Sequence, residues 1–340
     1  PALKAASPQA PMADVFIGDD FHHNGAFFLA HAFGWLSGTA PGRSNREAIN
    51  KRPEPFKYGT PDGYEFFLNL GPISNVNKMY LKDQVPIWNE FMHHGTYDAY
   101  WKSRNVIPHL KNVKPAVMTV VGWFDSEDKY GGVNVYHKIE KENPGIKNII
   151  VWGPWQHGGW ARVDGDTLGN IRFGSKTALW YRENVELPFF NYYLKDKAQL
   201  NLPEVTAFMT GANEWKSFDG WPPKEATATN LYLHSNQTLS FFPPTDKSKK
   251  AFDSYVSDPS KPIPFTAQTT TFMGHLFIVE DQRFASTRPD VLVYQTDVLT
   301  EDVTIAGATT VTLYASTTGT DCDWIVKLID VYPGGAPDNV

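Results

Sequence analysis

The chain has little cysteine, no block of basic charge and no segment that resembles a targeting signal. Cys322 is the single cysteine among 340 residues, which excludes an internal disulfide framework and any metal site built from several cysteines. The 31 Lys and Arg residues against 37 Asp and Glu residues give a formal net charge of −6. Without a Lys/Arg-rich run, we expect neither a nucleic-acid partner nor a membrane partner.

The two ends of the chain lack what complete proteins usually show there. The start, Pro1, is not an initiator Met, and no charged or apolar signal region follows it. The last residues, 333–340, are rich in Gly, Pro, Asn and Asp and come directly after an apparent strand at 324–331. We therefore expect both ends to be internal to a longer protein.

The N-terminal two thirds of the sequence have the pattern of an α/β domain. Short helical segments with Gly and Pro punctuation at about 20–105 predict a helical cap. Apolar runs at 115–123 and 148–152 each predict a strand buried on both faces, and the helix expected between them makes one β-α-β unit with parallel strands. A further helix is predicted at 177–195, bent at Pro188.

Beyond Pro222 and Pro223 the pattern changes to short β-rich segments between turns, which predicts an all-β sandwich. The predicted strands are 230–234, 269–272, 291–294, 303–305, 309–314 and 324–330.

Two polar residues follow the carboxyl ends of the two predicted parallel strands. Asp125 lies in the loop after the first strand, and His157 lies in the loop after the second. An aspartate that orients an imidazole is the acid–base half of a Ser-His-Asp triad, and in the α/β-hydrolase order the serine precedes both. No Gly-x-Ser-x-Gly occurs, and Ser37 and Ser175 lack the spacing of a nucleophile elbow. We expect the nucleophile to lie upstream of this chain.

Other interpretations of these residues stay open from spacing alone. Asp125 and His157 could be ordinary loop residues. Aromatic residues in the same loops are more often packing residues than substrate platforms; they are Trp123, Trp155 and Trp160. A metal site could be sought among Asp19, Asp20, His22, His23 and His31. Because no HExxH or facial-triad spacing is present, we expect neither a metal nor a cofactor.

Four motifs together resemble the cocaine-esterase/X-prolyl-dipeptidyl-peptidase family of serine hydrolases. They are the segments 18–21, 122–125, 153–157 and 288–294, and the resemblance spans nearly the whole chain. Within the family the sequence is most similar to the α-amino acid ester hydrolases, often labelled glutaryl-7-aminocephalosporanic acid acylases, which act on β-lactam acyl side chains. The resemblance implies an α/β-hydrolase core followed by a jelly-roll sandwich. Residues 1–210 would form the C-terminal part of the core with the cap, and residues 225–340 would form a sandwich incomplete at its C-terminus.

The resemblance also implies a substrate site made of carboxylates. In the α-amino acid ester hydrolases, three acids receive the α-ammonium group of the substrate, and the matching positions here are Asp20, Glu127 and Asp128. From spacing alone, residues 126–128 could equally be a helix N-cap followed by acidic residues that favour the helix dipole.

Three functions are compatible with these motifs. The first is hydrolysis or acyl transfer on α-amino acid esters and β-lactam acyl side chains through an acyl-enzyme. The second is an X-prolyl dipeptidyl peptidase or a general carboxylesterase with the same triad, and the third is a non-catalytic fragment with a β-sandwich binding module. For the enzyme, the partner is a small-molecule ester or amide, and the fragment alone would be inactive. The family resemblance further implies a homo-oligomer in the periplasm or outside the cell.

Overall fold

The computed structural model describes residues 2–39, 54–197, 200–245, 248 and 251–336. Its centre is a five-stranded sheet. In spatial order its strands are β1 (Ala5–Ala6), β4 (Ala116–Gly122), β5 (Asn148–Gly153), β8 (Val205–Met209) and β9 (Glu214–Phe218). The first four run parallel to their neighbours, and β9 pairs antiparallel with β8.

The two central strands confirm the prediction from the apolar runs. Every residue of β4 and β5 is buried, as expected of parallel strands covered on both faces. The connecting helix, α5 (Lys129–Glu142), buries a face that includes Val135, Tyr136 and Ile139. The β-α-β unit places the carboxyl ends of β4 and β5 side by side, which is where reactive groups collect in such sheets.

Helices with a shared aromatic core occupy the region predicted to be a cap. They are α1 (Leu29–Thr39), α2 (Gly63–Leu70), α3 (Pro86–His93) and α4 (Ala99–Lys102), with a π-helical turn at Asn77–Leu81 between α2 and α3. Two short strands, β2 (His22–His23) and β3 (Ala26–Phe27), form a hairpin before α1. Buried rings such as Phe33, Trp88 and Trp101 form the core of this region. Residues 40–53 of the predicted cap lie outside the described residues.

The loop region after β5 leads into the helix predicted at 177–195. It contains α6 (Gly159–Arg162) and the hairpin of β6 (Thr167–Leu168) with β7 (Ile171–Arg172). The predicted helix is present as α7 (Thr177–Tyr181), a π-helical segment at Arg182–Glu186 and α8 (Leu187–Lys195). Pro188 has no N–H and would clash with the carbonyl four residues earlier, so the wider π turn relieves the crowding that a regular helix would create.

The C-terminal region departs from the strands expected of it. One predicted strand is present, as β10 (Tyr232–His234), which pairs with β11 (Thr238–Ser240). The other five predicted strands have irregular backbone, and apolar side chains within them are exposed, such as Ile325 at 75%. A sandwich strand is stable only when distant segments pair with its edges and a second sheet covers its apolar face. Among the described residues, these five segments have no strand paired with their edges and no second sheet over their apolar side chains. The remaining short helix, α9, spans Arg283–Ser286.

A part of this region packs on the α/β domain. Val279 contacts the buried cluster of Leu168, Phe173 and Phe208, next to the β6–β7 hairpin. No helix in the described part of the chain has the length and the apolar character needed to cross a membrane.

Candidate active site

The loops after β4 and β5 meet through backbone contacts. The N–H of Trp123 donates to the Gly153 carbonyl at 2.8 Å, and the N–H of Phe124 donates to the Trp155 carbonyl at 3.1 Å. A Cβ atom at Gly122 would lie 2.2 Å from the carbonyl oxygen of Trp155, so the approach requires glycine. This contact brings Asp125 and His157, which lie in these two loops, to the same place.

Asp125 and His157 form a direct hydrogen bond. The Nδ1 atom of His157 is 3.1 Å from Oδ2 of Asp125, which is fully buried. The other carboxylate oxygen of Asp125 accepts the backbone N–H groups of Glu127 at 2.9 Å and Asp128 at 3.1 Å, so the carboxylate cannot rotate freely. With Nδ1 engaged, Nε2 is the ring nitrogen available to exchange a proton with a hydroxyl.

Several carboxylates act on His157. The hydrogen bond that Nδ1 of His157 donates to Asp125, followed by the negative charges of Asp125, Glu127 and Asp128, raises the pKa of His157 to about 9. The Nδ1 atom is 3.5 Å from Oδ2 of Asp128 and 3.8 Å from Oε2 of Glu127. The imidazole is therefore held in its protonated form until the surrounding negative charge is neutralised.

Asp20 joins these acids through a contact between distant parts of the chain. Its backbone has a left-handed φ of 47°, and its N–H donates to the carbonyl of Glu127 at 3.3 Å. Burial, and then the charges of Glu127 and Asp19, raise the pKa of Asp20 to about 6. Burial, and then the charge of Asp20, raise the pKa of Asp128 to about 9. Asp20, Glu127 and Asp128 thus form one electrostatically connected group of carboxylates beside His157, called here the acidic cluster.

Asp128 has an unusual environment within the acidic cluster. The residue is only 3% exposed, and its Oδ1 atom has no hydrogen-bond partner among the described residues. A buried oxygen without a partner costs about 1–3 kcal/mol, so a cationic ligand that donates hydrogen bonds would relieve this cost.

The same geometry opposes the interpretation of residues 126–128 as a helix cap. Asp128 occupies the N-cap position of α5, yet its side chain makes no capping hydrogen bond. The carboxylate of Asp125 accepts the local backbone N–H groups instead. The side chain of Asp128 is left to face His157.

Asp19 fixes the position of Asp20, a role that spacing did not reveal. One carboxylate oxygen accepts the backbone N–H groups of Ala13 at 2.8 Å and Asp14 at 2.9 Å, and the other accepts that of Gly131 at 2.7 Å. The side chain therefore ties the segment of Asp20 to the start of α5. The adjacent pair of acids in the sequence was the available signal, but the partner groups are backbone N–H groups.

The three histidines considered as metal ligands lie in different environments. His22 stacks on Phe16 and hydrogen-bonds the Val15 carbonyl through Nδ1 at 2.9 Å, as a core residue does. Burial lowers the pKa of His23 to about 4. His31, on α1, offers a ring nitrogen that lies with carboxylate oxygens of Asp20 and Glu127 in a group whose atoms are all within 4.8 Å of one another. Of the three, His31 is the one grouped with the acidic cluster.

The loop tryptophans are packing residues. Trp155 is 1% exposed, and its indole N–H donates to the Thr177 hydroxyl at 2.9 Å. Trp160 is buried and donates to the side chain of Gln9 at 2.8 Å. Trp123 stacks on a neighbouring indole of the sheet. Neither Ser37 nor Ser175 hydrogen-bonds to His157.

Comparison with known proteins identifies the family of the chain. The family model of the X-Pro dipeptidyl-peptidase (S15 family) matches residues 1–159, and that of the X-Pro dipeptidyl-peptidase C-terminal non-catalytic domain matches residues 198–340. The chain belongs to the cocaine-esterase/X-prolyl-dipeptidyl-peptidase family. The resemblance carried by the four motifs is confirmed, and so is the fold class of an α/β-hydrolase core followed by a β domain.

Several members of this family are similar to the chain over most of its length. The cocaine esterase of Rhodococcus sp. (strain MB1 Bresler) is 25% identical over 356 residues, which cover 98% of this chain and 59% of that protein. A solved α-amino acid ester hydrolase superposes with a TM-score of 0.81 at 33% identity, covering 90% of this chain and 50% of the other. An aminopeptidase from the marine sediment archaeon Thaumarchaeota archaeon superposes with a TM-score of 0.81 at 34% identity. This match covers 88% of this chain and 49% of the aminopeptidase.

The chain thus spans about half to three fifths of the length of these relatives. The relatives are serine esterases and peptidases, so the family is one of hydrolases that act on small-molecule substrates.

Proposed function

We propose that the protein is a serine hydrolase and acyltransferase for α-amino acid esters and β-lactam acyl side chains. In this proposal the nucleophilic serine precedes Pro1, and the present chain supplies the acid and the base of the triad, Asp125 and His157. The observation that carries the proposal is the acidic cluster: carboxylates gathered beside a histidine that is hydrogen-bonded to a buried aspartate. From the family resemblance we also propose residues 1–210 as the hydrolase domain and 225–340 as the jelly-roll domain.

The proposed reaction uses the hydrogen bond between Asp125 and His157. Nε2 of His157 takes the proton of the serine hydroxyl as the serine attacks the ester carbonyl, and Asp125 stabilises the imidazolium that forms. The imidazolium then returns the proton to the leaving alcohol or amine, which leaves an acyl-enzyme. Water hydrolyses this intermediate, or the amine of a β-lactam nucleus takes the acyl group.

The acidic cluster explains a preference for substrates with an α-ammonium group. At about 4 Å and an effective dielectric constant near 20, one carboxylate attracts an ammonium group by about 4 kcal/mol before desolvation is subtracted. The unpartnered oxygen of Asp128 gains a hydrogen-bond donor when the ammonium binds. The cation also offsets the negative charge around His157 and so lowers the pKa of the imidazole toward the range of a general base.

Three other candidates remain: two are hydrolases and one has no hydrolase activity. An aminopeptidase, the activity in the name of one solved relative, would bind the N-terminal ammonium of a peptide in the same cluster. Hydrolysis of amino acid amides at rates comparable to the matching esters would favour that candidate. A general carboxylesterase, as in cocaine esterase, would have no need for the cluster. If the protein instead only binds ligands through its β domain, the complete protein should have no hydrolase activity.

The test compares phenylglycine methyl ester with phenylacetic acid methyl ester, which lacks the amino group. In the complete protein, Asp20→Asn should lower the preference for the amino ester by about 10- to 100-fold, since a hydrogen bond to a charged group contributes about 1.5–3 kcal/mol. Glu142→Gln is the matched control, because Glu142 lies at the opposite end of the 14-residue helix α5. An unchanged preference after Asp20→Asn would refute the proposed role of the acidic cluster.

A further inference from the structure

We propose that Asp20, His31 and Glu127 form a binding site for a divalent transition-metal ion, with Zn²⁺ as the best fit. The ion would act as an inhibitor that excludes the substrate ammonium group and is not part of the reaction. The inhibition rests on the proposed function, whereas the binding of the ion does not.

The geometry places the donor atoms close to the spacing that zinc requires. One ring nitrogen of His31 and one carboxylate oxygen each from Asp20 and Glu127 lie within 4.8 Å of one another. Tetrahedral zinc with ligands at about 2.0–2.2 Å needs neighbouring donor atoms roughly 3.3–3.6 Å apart. All three residues are only partly buried, so their side chains have room to close the remaining distance by rotating.

A second observation points to a cation at the same place. Glu127 also belongs to a group with Asp128 and His157 whose donor atoms are within 4.8 Å of one another. The side chain of Asp128 is only 5% exposed, and one of its oxygens has no hydrogen-bond partner among the described residues. One carboxylate oxygen of Asp128 lies in this second group and is a further donor for an ion bound at Glu127.

The chemistry of the donors favours zinc over calcium or magnesium. Imidazole together with carboxylates is a ligand set for Zn²⁺ and other late first-row metals, whereas the harder ions prefer oxygen alone. The sequence showed no metal motif because the ligands come from three segments: Asp20 precedes β2, His31 is on α1, and Glu127 lies before α5, nearly a hundred residues after His31. The local spacing of each segment therefore carries no signal.

The test measures Zn²⁺ binding to the complete protein by isothermal titration calorimetry. All variants carry Cys322→Ser, since the exposed thiol of Cys322 could bind zinc by itself. His31→Gln should weaken the binding by at least 10- to 100-fold, the loss that removal of even a residue supporting a metal ligand produces. His93→Gln is the matched control, because His93 is an exposed histidine on α3, and it should bind zinc as the parent does.

Glu127→Gln provides a second variant if His31→Gln fails to fold, as judged by circular dichroism. The proposal is overturned if the parent binds no zinc, or if a folded His31→Gln or Glu127→Gln variant binds it as tightly as the control. Zinc should also inhibit amino ester hydrolysis less in the His31→Gln and Glu127→Gln variants, when each rate is compared with the zinc-free rate of the same variant. Zinc binding that depends on His31 in an enzyme without amino preference would leave the site standing and refute only the proposed substrate.

Discussion

Removing the charge of Glu127 should lower the pKa of His157. The Glu127 carboxylate is 3.8 Å from Nδ1 of His157, and their side chains are 26% and 34% exposed. At about 4 Å a pair of unit charges interacts by about 1 kcal/mol in water and by about 4 kcal/mol at an effective dielectric constant near 20. For a pair this exposed to solvent, the interaction energy is close to the lower value of about 1 kcal/mol. Since one pKa unit corresponds to about 1.4 kcal/mol, Glu127→Gln should lower the pKa of His157 by about one unit.

The assay is the pH dependence of kcat/KM of the complete protein. The acidic limb of this profile reports the pKa of the base in the free enzyme. Phenylacetic acid methyl ester is the appropriate substrate, because it has no ammonium group whose binding the variant would also affect. We expect the limb to move about one unit toward lower pH in Glu127→Gln, in the direction set by the loss of a negative charge.

Glu142→Gln removes the same charge at the far end of α5, about 20 Å from the start of the helix and beyond the screening length of physiological salt. Its profile should coincide with that of the parent. A limb that stays in place in Glu127→Gln, or that moves toward higher pH, would refute the view that the acidic cluster holds His157 protonated.

Three further predictions concern stability. Asp128→Asn should stabilise the protein by about 1–3 kcal/mol at neutral pH, measured by urea unfolding, because Asp128 is ionised in the unfolded chain and has to take up a proton on folding, a cost that Asn does not have; an unfolding midpoint below that of the parent would contradict this. The raised pKa of Asp128 means that the parent loses stability as the pH rises from 3.8 toward about 9, a loss that Asp128→Asn should lack. Gly122→Ala should cost about 3 kcal/mol or more, because its Cβ would lie 2.2 Å from the Trp155 carbonyl, whereas Gly38→Ala meets no atom within 4 Å and should be neutral or stabilising; equal melting temperatures for these two variants would contradict the close contact of the loops. Asp19→Asn should destabilise by about 1–3 kcal/mol, since an amide cannot accept all three backbone N–H groups; a stability equal to that of the parent would show that these hydrogen bonds are not formed.

The part of the fold that was predicted from sequence is the part determined by local patterns. The apolar runs of β4 and β5 and the intervening α5 are continuous in sequence, so burial on both faces is visible in composition. The strands predicted after residue 268 depend on pairing with distant segments, and the described backbone there is irregular. High β-propensity alone does not form a strand without such partners.

In the candidate site, too, local patterns predicted some residues, whereas others depend on contacts between distant segments. Asp125 and His157 follow predicted strands, so the order of the β-α-β unit alone placed them together. The contributions of Asp19 and His31 depend on contacts between separate segments of the chain, which no local spacing records. Asp20, Glu127 and Asp128 were identified through resemblance to a family, because the same acids also fit an ordinary helix start.

The most direct measurement is the hydrolysis of phenylglycine methyl ester and phenylacetic acid methyl ester by the complete protein and by this 340-residue chain. We expect the complete protein to prefer the amino ester strongly and the 340-residue chain to be inactive on both esters. A complete protein without preference for the amino ester would contradict the assignment to α-amino acid esters, and an active 340-residue chain would contradict a nucleophile located before Pro1.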